Sequence, residues 1–235
     1  MRHHRRTVKV VMFLPPFAAL ALGLLASPLL RVEQVTIVAP TPELAAEVGR
    51  QVHIPADAST LLYPLCRICA QARSCYRVAD CGVRRQLPHG LLVQVTAREP
   101  IAALRDEVGY TLLSSEGICL YRRESRPALP ILQGLVASRP PLGSRVEAEQ
   151  WRWVRDVLAG ATKAGLREGL VMDFTQPFQI SVKTSEGWTG TLGNVNSLTR
   201  KVTIMGRLAQ QIEAEGRRPR VIDVSIPEAP RWTTI

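Results

Sequence analysis

By type and spacing, five cysteines are the residues of this 235-residue chain best suited to chemistry. Cys66, Cys69, Cys75 and Cys81 fall within 16 residues, and Cys119 stands apart. The Cys66-x2-Cys69 start suits a zinc site holding Cys66, Cys69, Cys75 and Cys81. The next spacings lack a second C-x2-C, however, and His53 and His89 are not at finger distance, so zinc is the weaker alternative and no metal is expected. Two local disulfides among these four are the main reading, and unpaired buried thiols are the remaining one. Four cysteines allow three pairings, and spacing does not choose among them. Cys119, beside Leu120 in an apolar run, reads as a small core residue.

Other candidate groups are sparse. Asp173 and Asp223 sit among apolar strand residues as a carboxylate pair would, yet acids at strand ends serve more often as turn caps. Lys183-Thr184-Ser185 echoes a penicillin-binding motif without its partner motifs, and G-x-S-x-G, H-E-x-x-H and P-loop patterns are absent. No catalytic residue and no cofactor is expected. Charge points the same way for nucleic acid. Residues 1–31 hold five basic side chains and no acid, half of the net +10, and the other 204 residues carry a dilute excess of 25 basic over 20 acidic groups. That balance is too mild for a nucleic-acid partner.

The elements that must position these groups begin with an uncharged stretch, VVMFLPPFAALALGLLASPLL, over residues 10–30. As a helix it spans about 30 Å, the thickness of a bilayer core. The expectation is a transmembrane helix over 10–30 behind a basic cytoplasmic tail over 1–9. The positive-inside bias then places everything after it outside the cytoplasm, where disulfides persist. A cleaved signal peptide is the rival reading.

Beyond it, VEQVTIV alternates as a half-buried strand does, and Thr41-Pro42 opens a helix carrying Leu44 and Val48 on one face. A second helix is expected over about 59–71, then strands over 76–85 and 91–98 joined by Pro88-His89-Gly90. After Pro100 the pattern turns to a meander with turns at 106–109 and 114–117. A helix over 146–164 follows, its stripe formed by Val146, Trp153, Val154, Val157 and Leu158. Three strands, a helix over 196–215 and a strand over 221–226 complete the pattern.

The order and the wording of these segments resemble the FtsQ/DivIB family of bacterial cell-division proteins. The likeness rests on VEQVTIV, on VRRQLPHGLLVQVTAREPIAALRDEVGYTLLSSEGICL, on LPILQG, and on TLGNVNSLTRKVTIMGRL followed by VIDVSIPEAPRW. The run from Arg85 to Ala102 is its most specific part, similar to the family's junction between a POTRA domain and the following β domain. The cysteine group has no counterpart there.

The resemblance implies an α+β fold: a POTRA-type β-α-α-β-β domain over 31–99, then a mixed β domain over 100–235 with an antiparallel sheet and two longer helices. It implies a non-enzymatic membrane scaffold of the division septum, embedded by one helix in the cytoplasmic (inner) membrane, that links assembly to septal peptidoglycan synthesis. Its partners would be FtsB/DivIC-type and FtsL-type coiled-coil proteins and other divisome components. The partner-binding surface would be the last strand, at a sheet edge, with Val221, Ile222, Asp223, Val224, Ser225 and Ile226, and with Trp232 as an aromatic anchor. Many relatives carry Arg and an aromatic where Ser225 and Ile226 stand. Two other functions remain compatible: a POTRA-containing secretion or envelope-assembly component, and a signal-cleaved secreted binding module.

Overall fold

The computed structural model describes residues 30–166, 169–176 and 178–235. The chain divides into two compact units, Met1–Arg98 and Glu99–Ile235.

In the first unit, β1 (Gln34–Val38) is followed by α1 (Pro42–Gln51), which Thr41 opens as N-cap: its backbone is extended and its hydroxyl accepts from Leu44 N–H at 3.4 Å. Pro42 occupies the first turn, where its missing N–H has no partner to lose. Leu44 and Val48, four apart, bury one face of α1. Each such side chain contributes about 1.5–3 kcal/mol. The second helix, α2 (Leu65–Arg73), starts six residues later than the sequence pattern implies. Pro64 is its N-cap, and a proline there lacks the N–H and disfavours helical backbone before it, so 59–63 form turns.

β2 (Val78–Gln86) and β3 (Gly90–Ala97) pair antiparallel, and β1 joins β3 in parallel, giving the order β1-β3-β2. α2 packs on β2. Leu44, Val48, Ile68, Ala72, Val78, Leu91 and Val93 form the core. Arg85 ties β2 to the turn before α2: Nε donates to Thr60 O at 2.7 Å and Nη2 to Tyr63 O at 3.1 Å.

The second unit carries nine strands: β4 (Pro100–Arg105), β5 (Tyr110–Ser114), β6 (Cys119–Arg123), β7 (Ile131–Gln133), β8 (Val171–Asp173), β9 (Ile180–Lys183), β10 (Thr189–Gly193), β11 (Pro219–Asp223) and β12 (Arg231–Thr234). Its helices are α3 (Ala148–Lys163) and α4 (Leu198–Ala214). The sheet order is β12-β11-β10-β9-β8-β7-β4-β5-β6.

Two expectations about the fold class are corrected here. First, the sheet of this mixed domain is not antiparallel throughout: β4–β7, β7–β8 and β10–β11 pair in parallel. β4 and β7 are joined through β5 and β6, and for the other two pairs the cause is the two long helices. α3 lies between β7 and β8, and α4 between β10 and β11, so each is the crossover that a parallel pair needs. Second, the transmembrane helix is not supported. All of its span but Leu30 lies outside the described residues, and none of the four helices among the described residues is long and apolar enough to cross a membrane.

α3 and α4 cross closely through small residues. A Cβ on Gly160 would stand 2.7 Å from Val202 Cβ, and one on Gly206 would run into Ala164. The stripe of α3 is centred on Trp151, Val154, Val157 and Ala161, while Trp153 and Leu158 are only half-buried. Trp151 is preferred because its indole N–H donates to Ser115 O at 3.0 Å and its ring fills the space over Gly117.

Candidate partner-binding edge

The nine-stranded sheet has two ends, β6 and β12. An end strand leaves a row of N–H and C=O groups facing away from the sheet, able to pair with another chain. At β6 the row is covered where the strand begins. Cys119 N–H donates to Ser144 O at 2.9 Å, Gly143 N–H to Cys119 O at 2.8 Å, and Val146 N–H to Gly117 O at 2.9 Å. Arg122 Nη2 adds a bond to Pro140 O at 3.2 Å. Segment 140–146 therefore lies along the start of that edge.

β12 is different. It pairs only with β11, in the register Asp223↔Arg231, Ile222↔Trp232, Val221↔Thr233 and Pro219↔Thr234. Ile235 N–H extends the contact to Arg218 O at 3.0 Å. Among the described residues, no other segment pairs with its outer row. Directly opposed residues share a face. Ile222 is fully buried under α4, so Trp232 lies at the rim of the helix-covered face, with 46% of its surface exposed.

The surroundings are basic. Arg218, Arg220 and Arg231 are exposed and enter no ion pair among the described residues, whereas Arg217 pairs with Glu215 and Arg200 with Glu228 at 3.2 Å. An added strand would meet an aromatic ledge and unpaired guanidinium groups.

The structure separates the seven residues expected at this surface. The segment over 221–226 is not an edge strand: β11 ends at Asp223 and lies between β10 and β12. Ile222 and Val224 are core, and Val224 N–H donates to Thr191 O at 2.9 Å. Asp223 Oδ1 accepts from Ser225 N–H at 2.9 Å and Ser225 O–H at 2.6 Å, closing the turn that ends β11. Ile226 is in the following turn, 61% exposed. Val221 is exposed on the far face of β11, and Trp232 alone of the seven is on β12. Arg231, Thr233 and Thr234 escaped the sequence reading. Their signal was available, since Trp and Thr favour strands and Pro230 marks a boundary.

A second missed residue is Lys201, almost fully buried on α4. Its Nζ donates to Asn194 O at 3.1 Å and Oδ1 at 2.8 Å, fastening the loop from β10 into α4. Burial pulls its pKa below the ordinary lysine value. Its place between Leu198 and Met205 on the 3.6-residue stripe was visible in the sequence.

The other candidate groups lie apart. Asp173 Oδ1 accepts from Thr175 N–H at 2.9 Å, the same capping role as Asp223. His53 is exposed, with Nδ1 3.1 Å from Gln51 O. Of the clustered cysteines, Cys69 and Cys81 meet, Cys66 faces solvent and Cys75 is buried. The four-cysteine zinc alternative fails on this placement, and among the described residues no three potential metal ligands group together. Cys119 is buried against Ser144, whose O–H lies 3.8 Å from its sulfur, and burial pushes its thiol pKa up. No protein-family model matches this chain, and no curated protein matches it significantly.

Proposed function

We propose that this protein is a non-enzymatic scaffold of the bacterial cell-division complex, working on the outer side of the cytoplasmic membrane at the septum. Its second unit takes up an extended segment of a small FtsB/DivIC-type coiled-coil protein as one further strand on β12, with an FtsL-type protein alongside. Through that contact it couples assembly to septal wall synthesis. The observation that carries this reading is the open outer row of β12 beside exposed Trp232, in a chain whose segments resemble FtsQ/DivIB. Backbone pairing tolerates side-chain change, so the Ser225 and Ile226 departures do not bear on it. The binding strand moves from 221–226 to Arg231–Thr234.

Two linked experiments test it. A fluorescent fusion in growing cells is expected to form a midcell band before constriction. A photo-crosslinking residue at Thr233 is expected to capture a small coiled-coil division protein, while the same probe at Tyr121 on β6 does not. Uniform envelope fluorescence, or equal capture from both strands, would favour the envelope-assembly or secreted-module readings and leave the resemblance as one of fold alone.

A further inference from the structure

We propose that Cys69 and Cys81 are the oxidisable pair of this protein, closing into a single disulfide that ties α2 to β2, while Cys66 and Cys75 stay as thiols. The pairing stands on geometry and does not depend on the division reading. Cys69 Sγ lies 2.9 Å from Cys81 Sγ and 3.0 Å from Cys81 O, across the packed contact between α2 and β2. Reaching a disulfide bond of about 2.05 Å needs the two sulfurs to approach by about 0.9 Å. Both ends are already held. Arg73, one helical turn after Cys69, pairs with Asp80 at 2.6 Å, and Asp80 Oδ1 accepts from Cys81 N–H at 2.8 Å.

The remaining pairings fail on placement. Cys66 is exposed, and Cys75, nine residues on, is fully buried. The helix from Cys66 to Arg73 alone rises about 10 Å and Ser74 continues in helical backbone, so Cys75 lies beyond the roughly 7 Å that a disulfide allows between Cα atoms. Cys75 lies beside Glu47 and Arg77, which pair at 3.2 Å. Cys66 is one turn from Cys69, but the Cys69 sulfur is turned inward to Cys81.

The order of events follows from access and acidity. Cys81 is buried, and burial together with the Cys69 contact pushes its thiol up to about 12, so it is the poorer first nucleophile. Half-buried Cys69 attacks an external disulfide: the donor S–S bond breaks, one donor thiolate leaves, and Cys69 carries a mixed disulfide. Cys81 then gives up its proton to solvent and attacks the Cys69 sulfur. The mixed bond breaks and the second donor thiolate leaves. Two electrons have passed to the donor, and both thiol protons have been released.

Trypsin provides a clean test because Arg67, Arg73, Arg77 and Arg84 place the four cysteines in separate peptides. The full chain, reduced and then equilibrated with glutathione disulfide, is alkylated in denaturant, digested and weighed. Expected is a crosslinked pair of ICAQAR and VADCGVR, with Cys66, Cys75 and Cys119 alkylated. All five cysteines alkylated, or Cys69 joined to another partner, would overturn the proposal. A second measurement is the melt: the oxidised chain should unfold about 10 °C above the reduced one. The C69S and C81S variants should lose that redox dependence, and a shift that persists in them would also overturn it. Alkylation in intact cells separates the two readings. A bridge that forms in the purified chain but is absent in cells would leave the pairing standing and count against the extracytoplasmic placement.

Discussion

The two ends of the nine-stranded sheet solve the same problem differently. β6 and β12 each end the sheet, but segment 140–146 bonds to the start of β6, whereas no other described segment pairs with the outer row of β12. An open edge is an aggregation hazard that folds ordinarily cover, charge or shorten. β12 is short and ringed by Arg218, Arg220 and Arg231, which limits self-pairing without closing the edge. The contrast teaches that one sheet can guard one end with its own chain and the other only by shortness and charge, and it is the second end that the proposed partner strand would use.

The largest effect should come from removing the support under β12. Ile222 is fully buried and stands opposite Trp232. Ile222→Ala is expected to destabilise the second unit by about 2–5 kcal/mol and to abolish partner capture at Thr233. A urea titration followed by tryptophan fluorescence reads the first effect. Unchanged stability would mean that β11 is not the base of this edge.

Next comes Trp232→Ala, which should leave the unfolding free energy from urea titration within about 1 kcal/mol of the wild type because the ring is half exposed. Partner binding should weaken by about 2 kcal/mol, some thirtyfold in Kd, read by calorimetry. A variant that binds as tightly as wild type would remove the aromatic ledge from the account.

The covered end can be opened deliberately. Gly143 has φ +81 and donates to Cys119 O. Gly143→Val should cost about 1–2 kcal/mol through left-handed backbone. It should also expose β6, giving concentration-dependent self-association in sedimentation. A strictly monomeric, destabilised variant would show that the 140–146 segment is not what protects this end.

The smallest effect concerns the helix behind β11. Burial lowers the folded-state pKa of Lys201 below its ordinary 10.5, so between those two values the unfolded chain binds more protons. The wild type should therefore gain stability relative to Lys201→Met as pH rises through that window. Below it, the difference should be constant. Parallel stability curves over the whole range would refute the buried charge.

Much of the local structure was legible from the sequence. Thr41-Pro42 marked the start of α1, Leu44 and Val48 its buried face, and Asp106 the first meander turn, where its Oδ1 accepts from Val108 and Gly109 N–H at 2.9 Å. The α3 stripe was offset, because Trp151 and Trp153 are equally apolar in sequence and only Ser115 O and Gly117 distinguish them. The candidate edge was read one strand too early: VIDVSI alternates strongly, while RWTTI is short and set off by Pro227 and Pro230.

What the sequence determined by itself are features that act over three or four residues: caps, turns, helix stripes and strand alternation. Which strand stands at the edge, which strands run parallel and which two of five cysteines meet were decided only by the tertiary structure. The reason is physical. A strand's periodicity records that one face is buried, but its neighbours are chosen by crossovers such as α3 and α4, whose endpoints lie tens of residues apart. Likewise, C-x2-C spacing records nothing of a sulfur twelve residues further on. Cys69 and Cys81 come together only because α2 lies across β2.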